Sequence, residues 1–448
     1  MKNYTRADII QSAKDNDVRY VRLQFTDMLG VVKNVEIPVT NLEKALANEV
    51  MFDGSSIQGF VRIDEADMYL YPDLSTWLIL EWERIPQGKV ARLICDIYTT
   101  EHVPFEGDPR YILKRNLEEM RKYNAKYAKF NVGVEPEFFL FKLGPDGKPT
   151  MNFSDMGGYF DLAPIDESED VRRDIVLELE NMGFEMEVSH HEVAFGQHEI
   201  NFHFDNALEA CDNIQTFKIV VKNVARRHGY HATFMPKPVE GINGSGMHTN
   251  CSISDADGNN LFYDPNTENQ LSHVALKFIA GVMGHAREFC LATNPTINSY
   301  KRLVPGFEAP CYISWSDANR STMIRIPAAR GKATRIEVRS VDPSSNPYLG
   351  ISALLAAGLD GLKSDYPVVS PIKKNLFKMS ENERKRMGIK SLPGSLLEAI
   401  DNFSSSKLMR AAIGDFLYEK LIQAKTKEWD EYKIKVTAYE LEKYLPII

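Results

Sequence analysis

The sequence predicts an α+β protein with two domains, over residues 1–105 and 106–448. Turn signals separate short strand patterns in the first part of the chain. Strands that carry carboxylates then alternate with helices up to about residue 340, and helical patterns prevail from about residue 350. This mixed order favours an α+β architecture over a doubly wound parallel sheet.

The first part of the chain contains two hairpin patterns. Residues 18–38 predict a hairpin that turns at Leu29-Gly30, and residues 77–99 predict a second one that turns at Pro86-Gln87-Gly88. Residues 51–73 lie between them, are rich in turn residues, and predict a loop too long for a plain connection. Because long ordered loops often carry function, this loop is a candidate functional segment.

Helix starts are marked by capping residues. Asp108 can cap a helix in which Pro109 takes the first position, just after the predicted domain boundary. Capping boxes of the form S/T-x-x-E predict three further helix starts, at Ser380–Glu383, Ser395–Glu398 and Thr437–Glu440.

Composition narrows the functional classes. The 62 acidic residues outnumber the 53 basic ones, and the net charge of −9 disfavours nonspecific binding of nucleic acid. The N-terminus is too polar for a signal peptide, and no apolar run approaches the roughly 20 residues that span a bilayer. Five scattered cysteines without a C-x-x-C pair indicate reduced thiols. We therefore expect a cytoplasmic protein with no membrane partner and no direct nucleic-acid partner.

The apolar run over residues 131–141 contains two carboxylates, Glu135 and Glu137. Side chains two residues apart in a strand share a face. Two anions side by side against an apolar layer repel each other and lose water, which is costly unless a cation lies between them. The alternative is a strand whose acidic face meets solvent.

The same chemistry recurs in later strands. Glu192 and Glu199 are seven residues apart in an apolar segment. The alternating patterns place three further polar sets on shared strand faces: Glu199, Asn201 and His203; His248, Asn250 and Ser252; Arg335, Glu337 and Arg339. Any one set could be an exposed face, but together they indicate strands that line a common polar cavity.

The candidate ligands are mainly oxygen donors. They are Glu135, Glu137, Glu192, Glu199 and Glu337, with one nitrogen donor, His248. Such a set suits Mg²⁺ or Mn²⁺ rather than zinc, and two or more ions with about three protein ligands each fit it better than one ion does. His190 and His191 adjoin Glu192, and we interpret both as supporting or structural residues.

Basic residues form a second group of candidate site residues, after the metal ligands: Arg302, Arg320, Arg325, Arg330, Arg335 and Arg339, with Lys301 and Lys332 between them. A solvated basic surface is the alternative, although several of these arginines alternate with Ile and Val. Guanidinium groups bind phosphate and carboxylate, and metal-holding carboxylates that face arginines are the parts that phosphoryl transfer needs. Neither a P-loop nor a kinase signature is present.

The chain resembles type I glutamine synthetases over essentially its whole length. The resemblance rests on six strings in order: FDGSSI (52–57), EPEFFLF (135–141), HHEVAFGQHEINF (190–202), NGSGMHTN (243–250), NPTINSYKRLVPGFEAP (294–310) and NRSTMIRIP with RIEVRS (319–340). It implies a small N-terminal β-grasp-like domain and a catalytic domain with a curved antiparallel sheet flanked by helices. It also implies ATP-dependent formation of glutamine from glutamate and ammonia through γ-glutamyl phosphate.

The resemblance implies roles for individual residues. Glu137, Glu192 and Glu199 match the ligands of one metal ion, and Glu135, His248 and Glu337 match those of another, with a third ion expected when nucleotide binds. The matches for the substrates are Arg302, Asn243 and Gly244 for glutamate, Arg320 and Arg339 for the reacting carboxylate and phosphate, and Glu187, Phe204, Ser252, Arg325, Lys332 and Arg335 for ATP. Asp53 matches the base that deprotonates ammonium, Glu308 matches a lid over the intermediate, and Ser56 and Tyr159 complete the ammonium pocket. Asn250 departs from relatives that have a histidine there, so it receives no role.

The resemblance also implies an assembly and its regulation. The family forms a homododecamer of two stacked hexamers with shared active sites, so Asp53 would act in a neighbouring subunit. The apolar C-terminal tail suits insertion into a partner, although it could pack on its own subunit. Phe377 replaces the tyrosine that some relatives modify by adenylylation, so the resemblance implies that this control is lost. The chain also lacks the insertion found in adenylylated relatives, which places it in the shorter, feedback-inhibited branch. Arg62 then matches the residue that mediates inhibition by glutamine, unless it simply pairs with Asp64 or Glu65, and a transcription regulator is a further hypothetical partner.

Two other functions compete with this one. A γ-glutamyl ligase of the same fold could use a polyamine or another amine, but Asp53, Ser56 and Glu308 favour a small cationic pocket for ammonium. A catalytically silent relative, such as the lens protein of this fold, would be expected to lack metal ligands, whereas all six are present here.

Overall fold

The computed structural model of the protein describes residues 4–55, 57 and 67–448. The described helices are α1 Arg6–Asp15, α2 Leu42–Leu46, α3 Pro109–Tyr123, α4 Glu169–Asn181, α5 Ala207–Arg227, α6 His273–Gly284, α7 Ala286–Thr293, α8 Ser299–Arg302, α9 Pro347–Lys363, α10 Glu381–Arg386, α11 Leu396–Ser404, α12 Lys407–Ile413, α13 Asp415–Lys433 and α14 Ala438–Tyr444. The described strands are β1 Val18–Thr26, β2 Val32–Pro38, β3 Val50–Asp53, β4 Asp67–Ile85, β5 Gly88–Tyr98, β6 Lys129–Leu143, β7 Pro149–Phe153, β8 Met186–His191, β9 Gln197–Phe202, β10 Asp205–Asn206, β11 Tyr230–Thr233, β12 Met247–Ser254, β13 Trp315–Ser316, β14 Ile324–Arg325 and β15 Ile336–Val338.

The N-terminal part is a mixed sheet with the strand order β2-β1-β5-β4-β3 in the described residues. β1 pairs with β2 and β4 pairs with β5, so both predicted hairpins are confirmed. β1 runs parallel to β5. Gly30 closes the first turn with φ of +82°, in the left-handed region that glycine adopts without strain.

The predicted loop over residues 51–73 is wrong at both ends. β3 extends to Asp53, and β4 begins at Asp67. Met68 and Leu70 are buried while the tyrosines beside them are only half-buried, which is ordinary strand alternation. Tyr69 and Tyr71 hide this alternation in the sequence, because tyrosine occurs on both the buried and the exposed face of a strand.

A buried ionic network joins the N-terminal sheet to the larger part of the chain. Arg110, near the start of α3, lies 2.7 Å from Asp73, 2.8 Å from Asp96 and 2.8 Å from Asp212, measured between guanidinium nitrogens and carboxylate oxygens. Two of these carboxylates lie on β4 and β5, and the third lies on α5. The network therefore fixes the small sheet against the helices that support the candidate site.

The larger part is built on a sheet that contains ten of the described strands. Its main path runs β13-β14-β15-β12-β6-β9-β8, and β7, β10 and β11 also pair with β6. The pairs are antiparallel, as predicted, apart from β13 and β14, which are parallel. The long strand β6 lies at the centre, so its two carboxylates stand in the middle of the sheet.

Helices pack against this sheet and bury its apolar face. α9 is apolar on nearly all sides and packs closely on α6. A Cβ atom on Gly281 would approach the Ala357 carbonyl oxygen to 2.2 Å, so only glycine permits this approach of the two backbones. The described part of the chain holds no helix with the length and apolarity to cross a membrane.

The predicted helix starts are present. Asp108 accepts a hydrogen bond from the backbone of Arg110 at the start of α3. The capping boxes of α10 and α14 are complete, whereas at α11 Ser395 caps the helix but Glu398 reaches the backbone N–H of Gly394 instead.

Candidate active site

The polar faces of β6, β9, β12 and β15 meet in one cavity of about 630 Å³. The common cavity expected from the strand alternation is therefore present. The predicted site residues that border it are Glu135, Glu137, Tyr159, Glu192, Glu199, Asn243, Gly244, His248, Arg302, Glu308, Arg320, Arg325, Glu337 and Arg339.

Glu135, His248 and Glu337 form a first ligand cluster. Glu135 and His248 are direct partners across the β6–β12 pair, and Glu337 lies on β15, the other neighbour of β12. His248 Nδ1 lies 3.2 Å from Glu135 Oε2 and 3.6 Å from Glu337 Oε1. One ligand atom from each residue lies within 4.8 Å of the others, so a single ion can contact all three.

Cations and amides offset the negative charge of the first ligand cluster. Arg325 Nε donates to Glu337 Oε2 at 2.6 Å, and Asn250 Nδ2 donates to Glu135 Oε1 at 3.0 Å. Burial opposes ionisation of Glu135, but the hydrogen bonds from His248 and Asn250 and the charge of Arg325 outweigh it and lower the pKa to about 2. Glu135 is therefore a carboxylate at neutral pH, the form that binds a cation.

Glu137, Glu192 and Glu199 border the same cavity, and we call these three residues the second ligand cluster. Glu137 faces Glu199 across the β6–β9 pair, and Glu192 directly follows β8. The structure adds His190, whose Nε2 lies 3.4 Å from Glu199 Oε1 and whose Nδ1 lies 3.7 Å from Glu192 Oε1. His190 borders the cavity and forms a group with Glu192 and Glu199, in which one ligand atom of each residue lies within 4.8 Å of the others.

The second ligand cluster carries an excess of negative charge. Burial and the charges of Glu192 and Glu199 raise the pKa of Glu137 well above its usual value. Burial and the charge of Glu199 raise the pKa of Glu192 to about 7. Carboxylates that hinder each other's ionisation gain most from a bound cation, and an oxygen-rich donor set suits Mg²⁺ or Mn²⁺. The residues present therefore fit a divalent ion at this cluster.

Four arginines supply positive charge beside these ligands: Arg302, Arg320, Arg325 and Arg339. Arg302 is buried, and its guanidinium donates to the carbonyls of Ser340 at 2.9 Å and Arg339 at 3.0 Å. Arg339 Nε lies 3.2 Å from Glu337 Oε1, and its Nη1 donates to the carbonyl of Arg320. Among the described residues, no carboxylate pairs with Arg302 within 4.0 Å, so its charge is available to an anionic ligand.

Two loops border the cavity on another side. Asn243 and Gly244 precede β12, and Asn243 Nδ2 donates to Glu308 Oε2 at 3.5 Å. A Cβ atom on Gly244 would lie 2.2 Å from the carbonyl oxygen of Pro236, so the loop requires glycine there. Tyr159 stands half-exposed beside His190, with the two ring centroids 5.9 Å apart.

Most of the predicted nucleotide residues lie outside this cavity. Of that set only Arg325 borders it, and Glu187, Phe204, Ser252, Lys332 and Arg335 do not. Arg335 Nε donates to Asn250 Oδ1 at 3.0 Å, and Asn250 in turn donates to Glu135. Asn250 thus links the outer surface to the first ligand cluster, a role that the sequence interpretation withheld from it.

Asp53 does not border the cavity of its own chain. Asp53 ends β3, is exposed, and accepts a hydrogen bond from the Ser55 backbone at 2.8 Å, which is the geometry of a tight Asp-Gly turn. Ser56 and Arg62 lie outside the described residues.

A buried network supports the second ligand cluster from behind. His191 lies 2.7 Å from the carbonyl oxygen of Glu192 through Nδ1 and 2.7 Å from Asp155 Oδ1 through Nε2. Asp155 also accepts hydrogen bonds from the Gly157 and Gly196 backbones and from Ser154 and Ser168. The interpretation of His191 as structural fits this arrangement, because Asp155 is saturated with protein donors.

Sequence reasoning also missed Gln197. Its Nε2 donates to Glu137 Oε2 at 2.9 Å and to the Gly244 carbonyl at 3.1 Å, while the Gly246 backbone donates to the same carboxylate at 3.0 Å. Gln197 precedes Glu199 by two residues, so extending the alternation of β9 by one step would have found it.

Two carboxylate clusters that fit divalent ions, with arginines in the same cavity, define a metal-dependent phosphoryl-transfer site on an α+β scaffold. The family model "Glutamine synthetase, catalytic domain" matches residues 106–444, and "Glutamine synthetase, beta-Grasp domain" matches residues 17–100. The chain belongs to the glutamine synthetase family, and membership makes the protein a glutamate–ammonia ligase.

Curated relatives and solved structures agree with this assignment. The chain is 56% identical to a glutamine synthetase of Staphylococcus aureus over 444 residues, 99% of each chain, and 55% identical to one of Staphylococcus epidermidis over the same shares. A GmaS/ADP complex matches with a TM-score of 0.88 and 32% identity over 98% of this chain and 99% of that one. A cryo-electron microscopy structure of Plasmodium falciparum glutamine synthetase matches with a TM-score of 0.88 and 25% identity over 99% of each chain.

Proposed function

We propose that this site makes glutamine from glutamate, ammonium and ATP through γ-glutamyl phosphate, with Mg²⁺ or Mn²⁺ held by each ligand cluster. The observation that carries the proposal is the meeting of two separate ligand clusters and four arginines in one cavity. Glutamate and ATP are both anions, so a site that joins them needs this much positive charge.

The two ligand clusters have separate tasks in this proposal. Glu137, Glu192 and Glu199 hold the ion on the glutamate side. Glu135, His248 and Glu337 hold the ion on the ATP side, and a third ion joins with the nucleotide. When bound, these ions neutralise phosphate and carboxylate charge that would otherwise keep the substrates apart.

The arginines orient the two reacting groups. Arg302 grips the α-carboxylate of glutamate beside Asn243 and Gly244, which agrees with its buried, carbonyl-anchored guanidinium. Arg320 and Arg339 lie at the γ-carboxylate and the transferred phosphoryl group. An oxygen of the γ-carboxylate attacks the γ-phosphorus of ATP and ADP leaves, which requires the reacting atoms to be held in line.

ATP lies on the outer surface next to the first ligand cluster. Its contacts in this proposal are Glu187, Phe204, Ser252, Arg325, Lys332 and Arg335. The hydrogen bonds of Asn250 to Arg335 and Glu135 support the placement, because they connect that surface to the cluster that orients the phosphates.

Ammonium is captured and deprotonated at a pocket that two subunits share. Asp53 acts as the base, Ser56 and Tyr159 complete the pocket, and Glu308 closes over it. Because Asp53 does not border the cavity of its own chain, we propose that the N-terminal domain of a neighbouring subunit supplies it, in a dodecamer of two stacked hexamers. The exposed apolar tail after α14, with Leu445, Ile447 and Ile448 at 72%, 77% and 93% exposure, supports docking between subunits.

Regulation in this proposal acts by feedback. Arg62 mediates inhibition by glutamine, and a transcription regulator is a further candidate partner. Phe377, which borders the cavity, has no hydroxyl group and cannot be adenylylated. We also place the protein in the cytoplasm, a placement supported by five buried free cysteines.

The test is a reconstituted reaction with every component omitted in turn. Glutamine and phosphate are expected to form in equal amounts only when glutamate, ammonium, ATP and a divalent ion are all present. Glu135→Gln is expected to abolish the reaction, whereas Glu118→Gln, on the exposed face of α3, leaves it unchanged. Faster turnover with putrescine than with ammonium would instead identify a γ-glutamyl ligase for another amine.

A further inference from the structure

The lid residue Glu308 stands on a strained segment. Glu308 has a φ of +58° and Gly306 has a φ of +101°, and left-handed backbone is strained at a residue other than glycine. Among the described residues, its side chain has one hydrogen-bond partner, Asn243, at the long distance of 3.5 Å. Another contact must therefore hold this segment against the cavity.

The nearest strong contact belongs to the adjacent residue, Phe307. The ammonium nitrogen of Lys237 lies 3.7 Å from the centre of the Phe307 ring, inside the range of a cation–π interaction. The same nitrogen donates a hydrogen bond to the carbonyl of Ile242, the residue before Asn243. One ammonium group thus touches both the lid segment and the loop that borders the glutamate position.

Lys237 is itself held in a fixed position. Its backbone N–H donates to Asn298 Oδ1 at 2.7 Å, and Asn298 Nδ2 donates back to its carbonyl at 2.9 Å. Lys237 as a whole residue is 8% exposed, and among the described residues no carboxylate lies within 4.0 Å of its ammonium. A buried cation without a counter-charge depends on the ring and the carbonyl for its stabilisation.

We propose that Lys237 is a positioning residue that latches the Glu308 lid to the Asn243 loop through the ring of Phe307. This inference rests on the proposed role of Glu308 as the lid over γ-glutamyl phosphate. The latch keeps water from the acyl phosphate until ammonia arrives. When it fails, water attacks the acyl phosphate, the bond to phosphate breaks, and glutamate and inorganic phosphate are released, so ATP is consumed without glutamine.

The latch is tested by measuring phosphate release without ammonium in variants of the full-length assembly. A cation–π contact is worth about 0.5–2 kcal/mol, which corresponds to a roughly 2- to 30-fold change in an equilibrium. The measured ratio is the rate of phosphate release without ammonium divided by the rate of glutamine formation with ammonium. Phe307→Leu is therefore expected to raise this ratio by roughly 2- to 30-fold. Phe307→Tyr keeps an aromatic face and is expected to match the wild type.

Two further variants separate the latch from general damage. Lys237→Met keeps the apolar stem and removes the charge, so it is expected to uncouple the reaction as Phe307→Leu does. Tyr123→Leu removes another cation–π contact, in which the ammonium of Lys363 on α9 lies 5.3 Å from the centre of the Tyr123 ring on α3. This variant is expected to leave the ratio of phosphate release to glutamine formation unchanged.

Three results would overturn the latch. The first is an unchanged ratio in both Phe307→Leu and Lys237→Met, and the second is an equal loss of phosphate release and of glutamine formation. The third is a Phe307→Tyr variant that is as uncoupled as Phe307→Leu. A wild-type protein that forms no glutamine at all would overturn the proposed function itself, and the wild-type assay distinguishes that failure first.

Discussion

Removing the charge of Glu137 is expected to stabilise the metal-free protein and to weaken its binding of metal. Burial and the charges of Glu192 and Glu199 raise the pKa of this carboxyl group. A carboxylate with a raised pKa in the folded state destabilises the fold at any pH above its unfolded value near 4.5. Glu137→Gln should relieve this cost at pH 8, because the new amide can still accept from Gln197 and from the Gly246 backbone.

The substitution has two effects on melting, one on the metal-free protein and one on the protein with metal. The raised pKa of Glu137 gives the direction of the first effect, a gain in the stability of the metal-free protein. For a domain of about 340 residues with an unfolding entropy of about 2.1 cal/mol/K per residue, each ~1.4 kcal/mol of such a gain raises the melting temperature by about 2 °C. Metal at about 100 times its dissociation constant adds about 2.7 kcal/mol to the wild type, and a 100-fold weaker variant gains only about 0.4 kcal/mol.

The assay is thermal unfolding at fixed subunit concentration, with EDTA and with Mn²⁺. Glu137→Gln should melt above the wild type in EDTA and below it in Mn²⁺, and Glu118→Gln should follow the wild type in both. A variant that melts lower in EDTA, or that keeps the full shift with Mn²⁺, would refute the assignment of Glu137 as a metal ligand held among repelling carboxylates.

Three further predictions concern ammonia, pH and feedback. Asp53→Ala should raise the barrier for ammonia use by about 3–4 kcal/mol while the affinity for ATP, measured by calorimetry, stays unchanged; equal loss of both would remove Asp53 from the ammonium pocket. Burial opposes protonation of His285, but hydrogen bonds to Glu288 and Asp360, both 2.9 Å, raise its pKa above 6.5. The stabilisation that protonated His285 contributes is therefore complete below pH 6.5 and is lost as the pH rises through the pKa of the folded state. His285→Gln should therefore lower the melting temperature more at pH 6 than at pH 9, and a larger loss at pH 9 would contradict this. Arg62→Ala should abolish inhibition by glutamine in steady-state assays, and undiminished inhibition would exclude Arg62 from that role.

The meeting of the candidate metal ligands in one cavity was predictable because these residues follow the period of the strands. Glu135 and Glu137 lie on one face of β6, and their cross-strand partners, His248 and Glu199, lie on matching positions of β12 and β9. Alternation in antiparallel strands fixes which side chains share a face, so local patterns were enough to gather these residues.

Other parts of the site depend on contacts between distant segments, which the alternation of residues along a strand does not indicate. Lys237 reaches Phe307 across 70 positions of the chain, and nothing in the sequence around either residue indicates the pair. Asp155 supports His191 through a loop with no regular structure. Asp53 appears in the sequence as an ordinary turn residue, and its geometry within one chain is still that of a turn. Such roles arise from tertiary packing or from assembly.

The most direct test of the account is the number of Mn²⁺ ions bound per subunit, counted by electron paramagnetic resonance without nucleotide. The account predicts two ions in the wild type, one in Glu135→Gln and one in Glu199→Gln, because each substitution disables a different cluster. A wild type that binds no ion, or a single substitution that removes both ions, would contradict the claim that two independent clusters in one cavity hold the charges that bring glutamate and ATP together.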